Sequence, residues 1–214
     1  MSDDIQRILK VLRLAERLKS ELRHSWLSSG RRESVAEHTW QMALMAVLMH
    51  HHLEHPVDLE RTLAMITVHD LVEAIAGDVP FFDTGERKAM KHARELEAIE
   101  EIRTTLPSET GEIVAGLWRE FEDRISPEAK FAGALDNLEV QIQHNQADLA
   151  TWLPLEHDLV YTKMDAPCSH DRFLAAFCEA VKADSEAKLR AGGIDPEAVK
   201  SRLRRSPAGP ALEP

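Results

Sequence analysis

The sequence predicts an all-α protein that folds as a single helical bundle. Apolar residues recur three and four positions apart along most of the chain, and no segment shows a convincing strand-like alternation of apolar and polar residues. Four polar side chains nevertheless fall on the apolar sides of predicted helices, and these are His38, His69, Asp70 and Asp136. The core of the bundle should therefore contain a polar site.

Two helices are predicted in the first 50 residues. The first runs from about Ile5 to Leu22, because apolar residues form one face over that range. The second begins at Ser34, since the segment from Ser34 to Glu37 has the form of a capping box. His38 then lies one turn inside this helix, in line with Met42, Met45 and Met49.

A third helix is predicted over residues 58–76. Helical spacing places His69, Asp70 and Glu73 on adjoining rows that are otherwise mainly apolar, so these side chains should emerge from a core-facing surface. Gly77 favours the end of this helix. The chain can then turn there and direct Asp78 toward the same region.

The later elements are also predicted as helices. One carries apolar residues from Ala89 to Ile99, and the next begins at Ser126-Pro127, an N-cap followed by proline. Asp136 lies beside the apolar row of that helix, among small residues that leave room for a ligand. A final short helix is predicted to begin at Asp195 and Pro196.

The domain prediction is one helical domain over residues 1–205, followed by a disordered tail over 206–214 that contains three prolines. Within the domain, residues 151–169 form a long connection that includes Pro154 and Pro167. Short helical turns are expected in this connection, and it could cover a pocket as a lid.

A shared cation explains the four core-facing polar residues better than separate causes do. A lone histidine on an apolar face is usually a hydrogen-bonded core residue, and Asp136 alone could pair with an arginine. The dipeptide His69-Asp70 is a weak signal by itself, since a second copy, His170-Asp171, is expected in the first turn of a solvated helix. Carboxylates persist in a core chiefly when paired or bound to a cation, so we expect a metal site.

The motifs resemble those of the HD-domain metal-dependent phosphohydrolases. The likeness is closest to the small 5'-deoxynucleotidase branch, which includes the HD-domain-containing protein 2 type, and it extends from about Leu12 to about Asn145. It is carried by Glu33-Ser34-Val35-Ala36-Glu37-His38, Val68-His69-Asp70-Leu71-Val72-Glu73, Gly77-Asp78, Glu128-Ala129-Lys130-Phe131 and Leu135-Asp136.

This resemblance implies an HD-domain fold with one divalent metal ion, either Mn, Co, Mg, Zn or Fe, in the bundle core. The implied ligands are His38, His69, Asp70 and Asp136, and the implied reaction is hydrolysis of nucleoside 5'-monophosphates, with deoxy forms preferred. Two imidazoles and two carboxylates leave positions open for water and a phosphate oxygen. A homodimer is also implied by the resemblance.

Six further residues are candidates for the reaction. Glu73 faces the same way as the ligands, and Asp78 follows the turn, so either acid could orient or deprotonate the attacking water. For the substrate, the resemblance suggests Arg23 and Trp26, although their spacing departs from that of the bacterial enzymes. Arg31 and Arg32 are closer to His38 and could serve the phosphate instead; a solvated loop is the alternative for these arginines.

Composition narrows the class of partner. A net charge of −11 over 214 residues argues against a nucleic-acid polymer, whereas a small phosphorylated nucleotide remains allowed because a metal and a few arginines reverse the local sign. The two cysteines, Cys168 and Cys178, fit neither a disulfide framework nor a zinc motif, so a cytoplasmic location is expected. The sequence shows no membrane segment.

Other functions remain open at this point. The same fold could hydrolyse a guanosine polyphosphate, which would need additional basic residues near the pocket. A non-catalytic nucleotide sensor that keeps the metal is disfavoured by the presence of both Glu73 and Asp78. A di-iron oxygenase would need further histidines at suitable phases, and the sequence offers none.

Overall fold

The computed structural model describes residues 1–80, 83 and 85–205 and confirms the all-α class. Its helices are α1 (Ser2–Ala15), α2 (Val35–Met49), α3 (Leu59–Val68), α4 (Glu73–Ala76), α5 (Glu86–Ala89), α6 (Lys91–Thr105), α7 (Ser108–Asp123), α8 (Pro127–Gln146), α9 (Glu156–Thr162), α10 (Asp165–Cys168), α11 (Arg172–Ala191) and α12 (Pro196–Arg205). Two strands, β1 (Leu22–Trp26) and β2 (Arg32–Ser34), and three short 3₁₀ turns complete the described elements.

The main core is formed by helices α2, α3, α8 and α11. The predicted row of α2 is buried there, including Met42, Met45 and Met49. Helix α8 crosses these helices and contributes Phe131 and Leu135, both fully buried. It begins as predicted, with the Ser126 side chain accepting from the backbone N–H of Ala129 and Pro127 at the first position. Asp136 therefore lies on a helix that packs in the main core.

A second apolar cluster lies between α1, α6 and α7. It contains Ile99 and Ile102 from α6 and Ala115 and Trp118 from α7, with Val72 added from the segment after α3. The segment after α3 thus touches both clusters, because the His69 ring packs on Phe121 of the main core and Val72 belongs to the second cluster.

The N-terminal region differs from the prediction of one helix reaching Leu22. Helix α1 ends at Ala15, and the chain then forms an antiparallel pair in which Leu22 faces Ser34 and Trp26 faces Arg32. The Arg32 guanidinium donates to the carbonyl oxygens of residues 22 and 23, which stabilises this ribbon. The strands are too short to show a clear alternation in the sequence, and the capping box at Ser34 begins α2 directly after them.

The predicted helix over residues 58–76 is interrupted at the His-Asp dipeptide. Helix α3 ends at Val68, and the next turn uses tighter bonds, such as that from the Glu73 N–H to the Asp70 carbonyl oxygen at 3.0 Å. The helix is interrupted because two donors compete for one acceptor. Nδ1 of His69 bonds to the carbonyl oxygen of Ile66 at 2.7 Å, and in a continuing helix this oxygen would accept from the backbone N–H of Asp70.

The C-terminal third contains the short helical turns that were predicted. Helices α9 and α10 lie in the connection over residues 151–169, and α12 begins at Pro196 as expected. The tail predicted over residues 206–214 lies outside the described residues. Within the part that is described, no helix combines the length and apolarity required to cross a bilayer.

Candidate metal centre

Four side chains from three separate segments meet in the core. His38 comes from the first turn of α2, His69 and Asp70 follow α3, and Asp136 lies in α8. Nε2 of His38 is 3.4 Å from Oδ1 of Asp136 and 3.8 Å from Oδ2 of Asp70, and Nε2 of His69 is 3.0 Å from that same Asp70 oxygen. The convergence expected from the helix phases is therefore present in the structure.

Each of the two imidazole rings directs its Nε2 atom toward this cluster of side chains. Nδ1 of His38 bonds to the Glu139 carboxylate, and Nδ1 of His69 bonds to the backbone oxygen of Ile66. The two Nε2 atoms are buried and make no hydrogen bond within the described part of the chain. Since buried polar atoms are rarely left unsatisfied, two such nitrogens facing two carboxylates fit a divalent cation.

The electrostatics of the cluster also favour a positive charge. Burial and Arg23 oppose protonation of His38, but Glu139 and Asp136 outweigh them and raise its pKa to about 10. Burial alone would raise the pKa of Asp136, yet the neighbouring imidazoles hold that pKa well below its ordinary value. The pKa of Asp70 is lowered in the same way, against burial and chiefly by His69.

Behind the cluster lie two buried carboxylates that sequence analysis missed. Glu139 is fully buried one turn beyond Asp136, and Glu33, the middle residue of β2, is 1% exposed. Burial and the nearby Glu139 raise the pKa of Glu33 to about 8. A carboxylate on Nδ1 fixes the tautomer and orientation of an imidazole, so Glu139 positions His38. The available signal was its place three residues after Asp136, on the same face of α8.

The cluster opens into a cavity of about 300 Å³. Glu73 and Asp78, the two acids predicted for the reaction, both line it. Burial raises the pKa of each, and the negative charge of Asp70 adds to that effect. One oxygen of Glu73, Oε2, is buried without a hydrogen-bond partner among the described residues.

Several basic residues line the same cavity, and Arg23 is the one among them that was predicted to bind substrate. Nη1 of Arg23 is 3.4 Å from Oδ2 of Asp70, and Nε is 3.6 Å from Oε2 of Glu33 across the strand pair. Three basic residues that were not among the predicted substrate residues reach the cavity from α6, from the turn after α7 and from the segment after α9: Lys91, Arg124 and Lys163. Tertiary packing alone brings them there.

Three predicted substrate residues do not line this cavity. The Arg31 guanidinium pairs with Glu37 at the surface, and the Arg32 guanidinium is bonded to backbone oxygens of β1. Trp26 lies at the end of β1, where its backbone oxygen accepts from Nε2 of Gln143 at 2.7 Å. Of the four residues predicted to bind substrate, Arg23 is the one that the structure places at the cavity.

Helix α8 and the C-terminal third of the chain also contribute residues to the cavity wall. Leu159 and Met164 supply apolar wall there. His144 and Glu156 supply polar groups, with Nε2 of His144 3.5 Å from the Ser25 hydroxyl and 3.8 Å from Oε1 of Glu156. Burial lowers the pKa of His144 to about 4, so this imidazole is neutral near pH 7. The predicted connection over residues 151–169 therefore contributes to the wall.

The fold and the site together define a class: a helical bundle whose core carries two histidines and two aspartates at the base of a charged cavity. The HD domain family model matches residues 15–170. The chain belongs to this family.

Relatives and solved structures agree with that assignment. A Danio rerio protein named 5'-deoxynucleotidase HDDC2 is 36% identical over 141 residues, which cover 65% of this chain and 68% of that protein. The Homo sapiens protein of the same name is 29% identical over 191 residues, covering 88% of this chain and 91% of that protein. A crystal structure of a predicted metal-dependent phosphohydrolase from Magnetospirillum magnetotacticum MS-1 has a TM-score of 0.76 and 29% identity, covering 91% and 97% of the two chains.

Proposed function

We propose that this protein is a metal-dependent phosphomonoesterase that hydrolyses nucleoside 5'-monophosphates, with deoxynucleotides preferred. The observation that carries the proposal is the pair of buried imidazole nitrogens that face two carboxylates without a hydrogen bond, at the base of a cavity that also holds acids and cations. The names of the relatives support the substrate class, since 5'-deoxynucleotidases act on this type of phosphate ester.

The proposed ligands of the divalent ion are His38, His69, Asp70 and Asp136. Glu139 holds the His38 ring so that Nε2 points to the site, and the carbonyl oxygen of Ile66 does the same for His69. When bound, the cation supplies Lewis acidity toward the phosphoryl group and the attacking water.

Glu73 is the proposed proton acceptor for the attacking water. Its buried Oε2 has no hydrogen-bond partner in the described chain, and the side chain lines the cavity beside the ligand cluster. Asp78 lines the same wall and is the second candidate for this role. Arg23, held between Glu33 and Asp70, places a positive charge where the phosphate would enter.

A reloading assay tests this function. The purified protein is stripped of metal, reloaded separately with Mn, Co, Mg, Zn or Fe, and assayed for phosphate release from ribo- and deoxynucleoside 5'-monophosphates. We expect turnover that depends on the added metal and is faster with the deoxy substrates. Phosphate release from none of these nucleotides, by protein that has bound metal, would refute the proposal.

A guanosine polyphosphate is the second candidate substrate, and one observation favours it. Sequence analysis required additional basic residues near the pocket for this substrate, and Lys91, Arg124 and Lys163 line the cavity. The cavity volume of about 300 Å³ lies at the small end of ligand pockets and favours the monophosphate. Including a guanosine polyphosphate in the assay decides between them.

The remaining proposals concern organisation. We propose one domain over residues 1–205 because the helices on both sides of α8 share its core. A homodimer and a cytoplasmic location are proposed from the family resemblance and the small number of cysteines. Light scattering on the eluting peak of a gel-filtration column tests the dimer, and a mass equal to one chain would refute it.

A further inference from the structure

Arg124 ends α7 in an unusual backbone conformation. Its φ is 52° and its ψ is 29°, and it is the one non-glycine residue with positive φ in the part of the chain that the structure describes. An L side chain in this left-handed region is strained. Such strain persists where the surrounding structure holds a residue for another purpose, and it often marks functional positions.

The guanidinium of Arg124 is fixed between an aromatic ring and a glycine. Its Cζ lies 3.7 Å from the centroid of the Phe121 ring. A Cβ atom on Gly133 would lie 1.7 Å from Nη1 and 2.6 Å from Cζ, so any other residue there would displace the guanidinium. A glycine inside a long helix such as α8 weakens that helix, and making room for Arg124 explains its presence.

The same guanidinium reaches the proposed metal centre with hydrogen-bonding capacity to spare. Nη2 is 3.6 Å from Oδ2 of Asp136. Nη1 is buried and has no hydrogen-bond partner among the residues described, and Arg124 lines the cavity. Phe121, which supports the guanidinium, also packs against His69, with the ring centroids 4.8 Å apart. The position of the guanidinium is therefore tied to a proposed metal ligand.

We propose that Arg124 binds the phosphate group of the substrate beside the metal, and that Gly133 exists to admit it. This inference rests on the proposed function. A guanidinium presents its N–H donors in a planar fork that matches two phosphate oxygens, and charged hydrogen bonds of this kind are the strong ones. Nη1 is packed against Gly133, so the donors offered to the phosphate are those on the part of the guanidinium that lines the cavity, where the side chain is 35% exposed.

Another role for Arg124 would be to neutralise or orient Asp136. The two roles differ in what they predict for metal binding. If Arg124 orders the aspartate, its removal weakens the affinity for metal. If it binds phosphate, its removal leaves the affinity for metal unchanged or higher, because a positive charge has been taken from beside the cation.

The test uses metal-loaded protein and inorganic phosphate as the probe. Calorimetry measures the Kd for phosphate and for metal, and kinetics measure KM for a deoxynucleoside 5'-monophosphate, in Arg124→Gln and in Arg124→Lys. The control is Arg119→Gln, which removes the same charge from an exposed position on α7. We expect Arg124→Gln to raise the phosphate Kd and the KM by about tenfold to a hundredfold, the range for a lost charged hydrogen bond. Arg124→Lys should recover part of this loss.

Gly133→Ala provides a second route to the same result, because it displaces the guanidinium and keeps the arginine. It should weaken phosphate binding in the wild-type protein and have little further effect in Arg124→Gln. Thermal unfolding and metal affinity, measured on each variant, show that the fold is retained. If Gly133→Ala does not fold, the Arg124 variants decide alone.

The outcomes separate this inference from the proposed function. Nucleotide hydrolysis by the wild type with an unchanged phosphate Kd in Arg124→Gln overturns the role of Arg124 and leaves the function standing. Weaker metal binding with unchanged phosphate binding also overturns it, in favour of the Asp136 role. Weaker phosphate binding in a protein that hydrolyses no nucleotide supports the anion site and refutes the function. A wild type that neither binds phosphate nor hydrolyses a nucleotide overturns both.

Discussion

The chain contains the dipeptide His-Asp three times, at residues 69–70, 157–158 and 170–171, and the copies at 69–70 and 170–171 share the same local geometry. Nδ1 of His69 bonds to the carbonyl oxygen three residues earlier at 2.7 Å, and Nδ1 of His170 bonds to the equivalent oxygen at 2.8 Å. The surroundings differ completely. His69 is buried with its Nε2 facing carboxylates, whereas His170 is exposed at the surface before α11.

The two aspartates differ in the same way. Asp171 caps α11, accepting from the backbone N–H groups of Phe173 and Leu174, and it also accepts from the N–H of Glu54. Asp70 instead directs Oδ2 toward the His69 imidazole and toward the Arg23 guanidinium. The same dipeptide therefore caps a helix in one region and contributes to a polar centre in the other. The long-range environment, not the dipeptide, decides between the two.

The largest effect on metal binding and turnover is expected for substitution of Asp70. Asp70→Ala should abolish both metal binding and turnover, because the site loses a carboxylate that faces both imidazoles. Metal content by mass spectrometry and phosphate release from a deoxynucleoside 5'-monophosphate measure the two effects. Full metal content and activity in this variant would contradict the predicted difference between the two dipeptides.

The next effect concerns the residue four positions beyond each of these two histidines, which is Glu73 after His69 and Leu174 after His170. Glu73→Gln should keep the metal and lower kcat by about 100- to 10,000-fold, the usual contribution of a general base. The matched variant is Asp78→Asn, at the second candidate acid. Normal kcat in Glu73→Gln, with loss in Asp78→Asn, would transfer the role to Asp78.

Asp171→Ala tests the structural copy. Loss of the cap on α11 and of the bond to the Glu54 N–H should lower the free energy of unfolding by about 1–2 kcal/mol. Urea denaturation followed by circular dichroism measures this change. The kcat and the metal content should equal those of the wild type, and a loss of metal would show that this dipeptide also serves the centre.

The smallest effect is expected for His170→Gln. This histidine is exposed and bonds only to a nearby backbone oxygen within the described structure, so the free energy of unfolding should change by less than about 0.5 kcal/mol. Activity should be unchanged. His69→Gln, measured beside it, should lose metal, and equal behaviour of the two variants would contradict the contrast between the copies.

Helix starts and helix phase were predictable from the sequence. The capping box at Ser34 and the proline after Ser126 fixed where α2 and α8 begin, and therefore which faces of these helices carry His38 and Asp136. Those signals are local, because a side chain there bonds to backbone only a few residues away. The fold class and the convergence of the four polar side chains followed from them.

The residues that sequence analysis missed depend on contacts between distant segments. Arg124 is an ordinary surface arginine by its spacing, and only the absence of a side chain at Gly133 lets it reach Asp136. Lys91 lies within the helix predicted from Ala89 to Ile99, but its place at the cavity is set by the packing of α6, which the sequence does not show. The break of the helix at His69 was missed as well, since it results from one side chain taking one backbone oxygen.

The ribbon formed by β1 and β2 offers a practical attachment point. Arg23 and Glu33 are fixed on its strands, while the loop that joins them is exposed from Ser28 to Arg31. The natural thiols, Cys168 and Cys178, are both buried. A cysteine introduced by Ser29→Cys would thus accept a fluorescent dye selectively, on the same ribbon that holds Arg23 at the cavity.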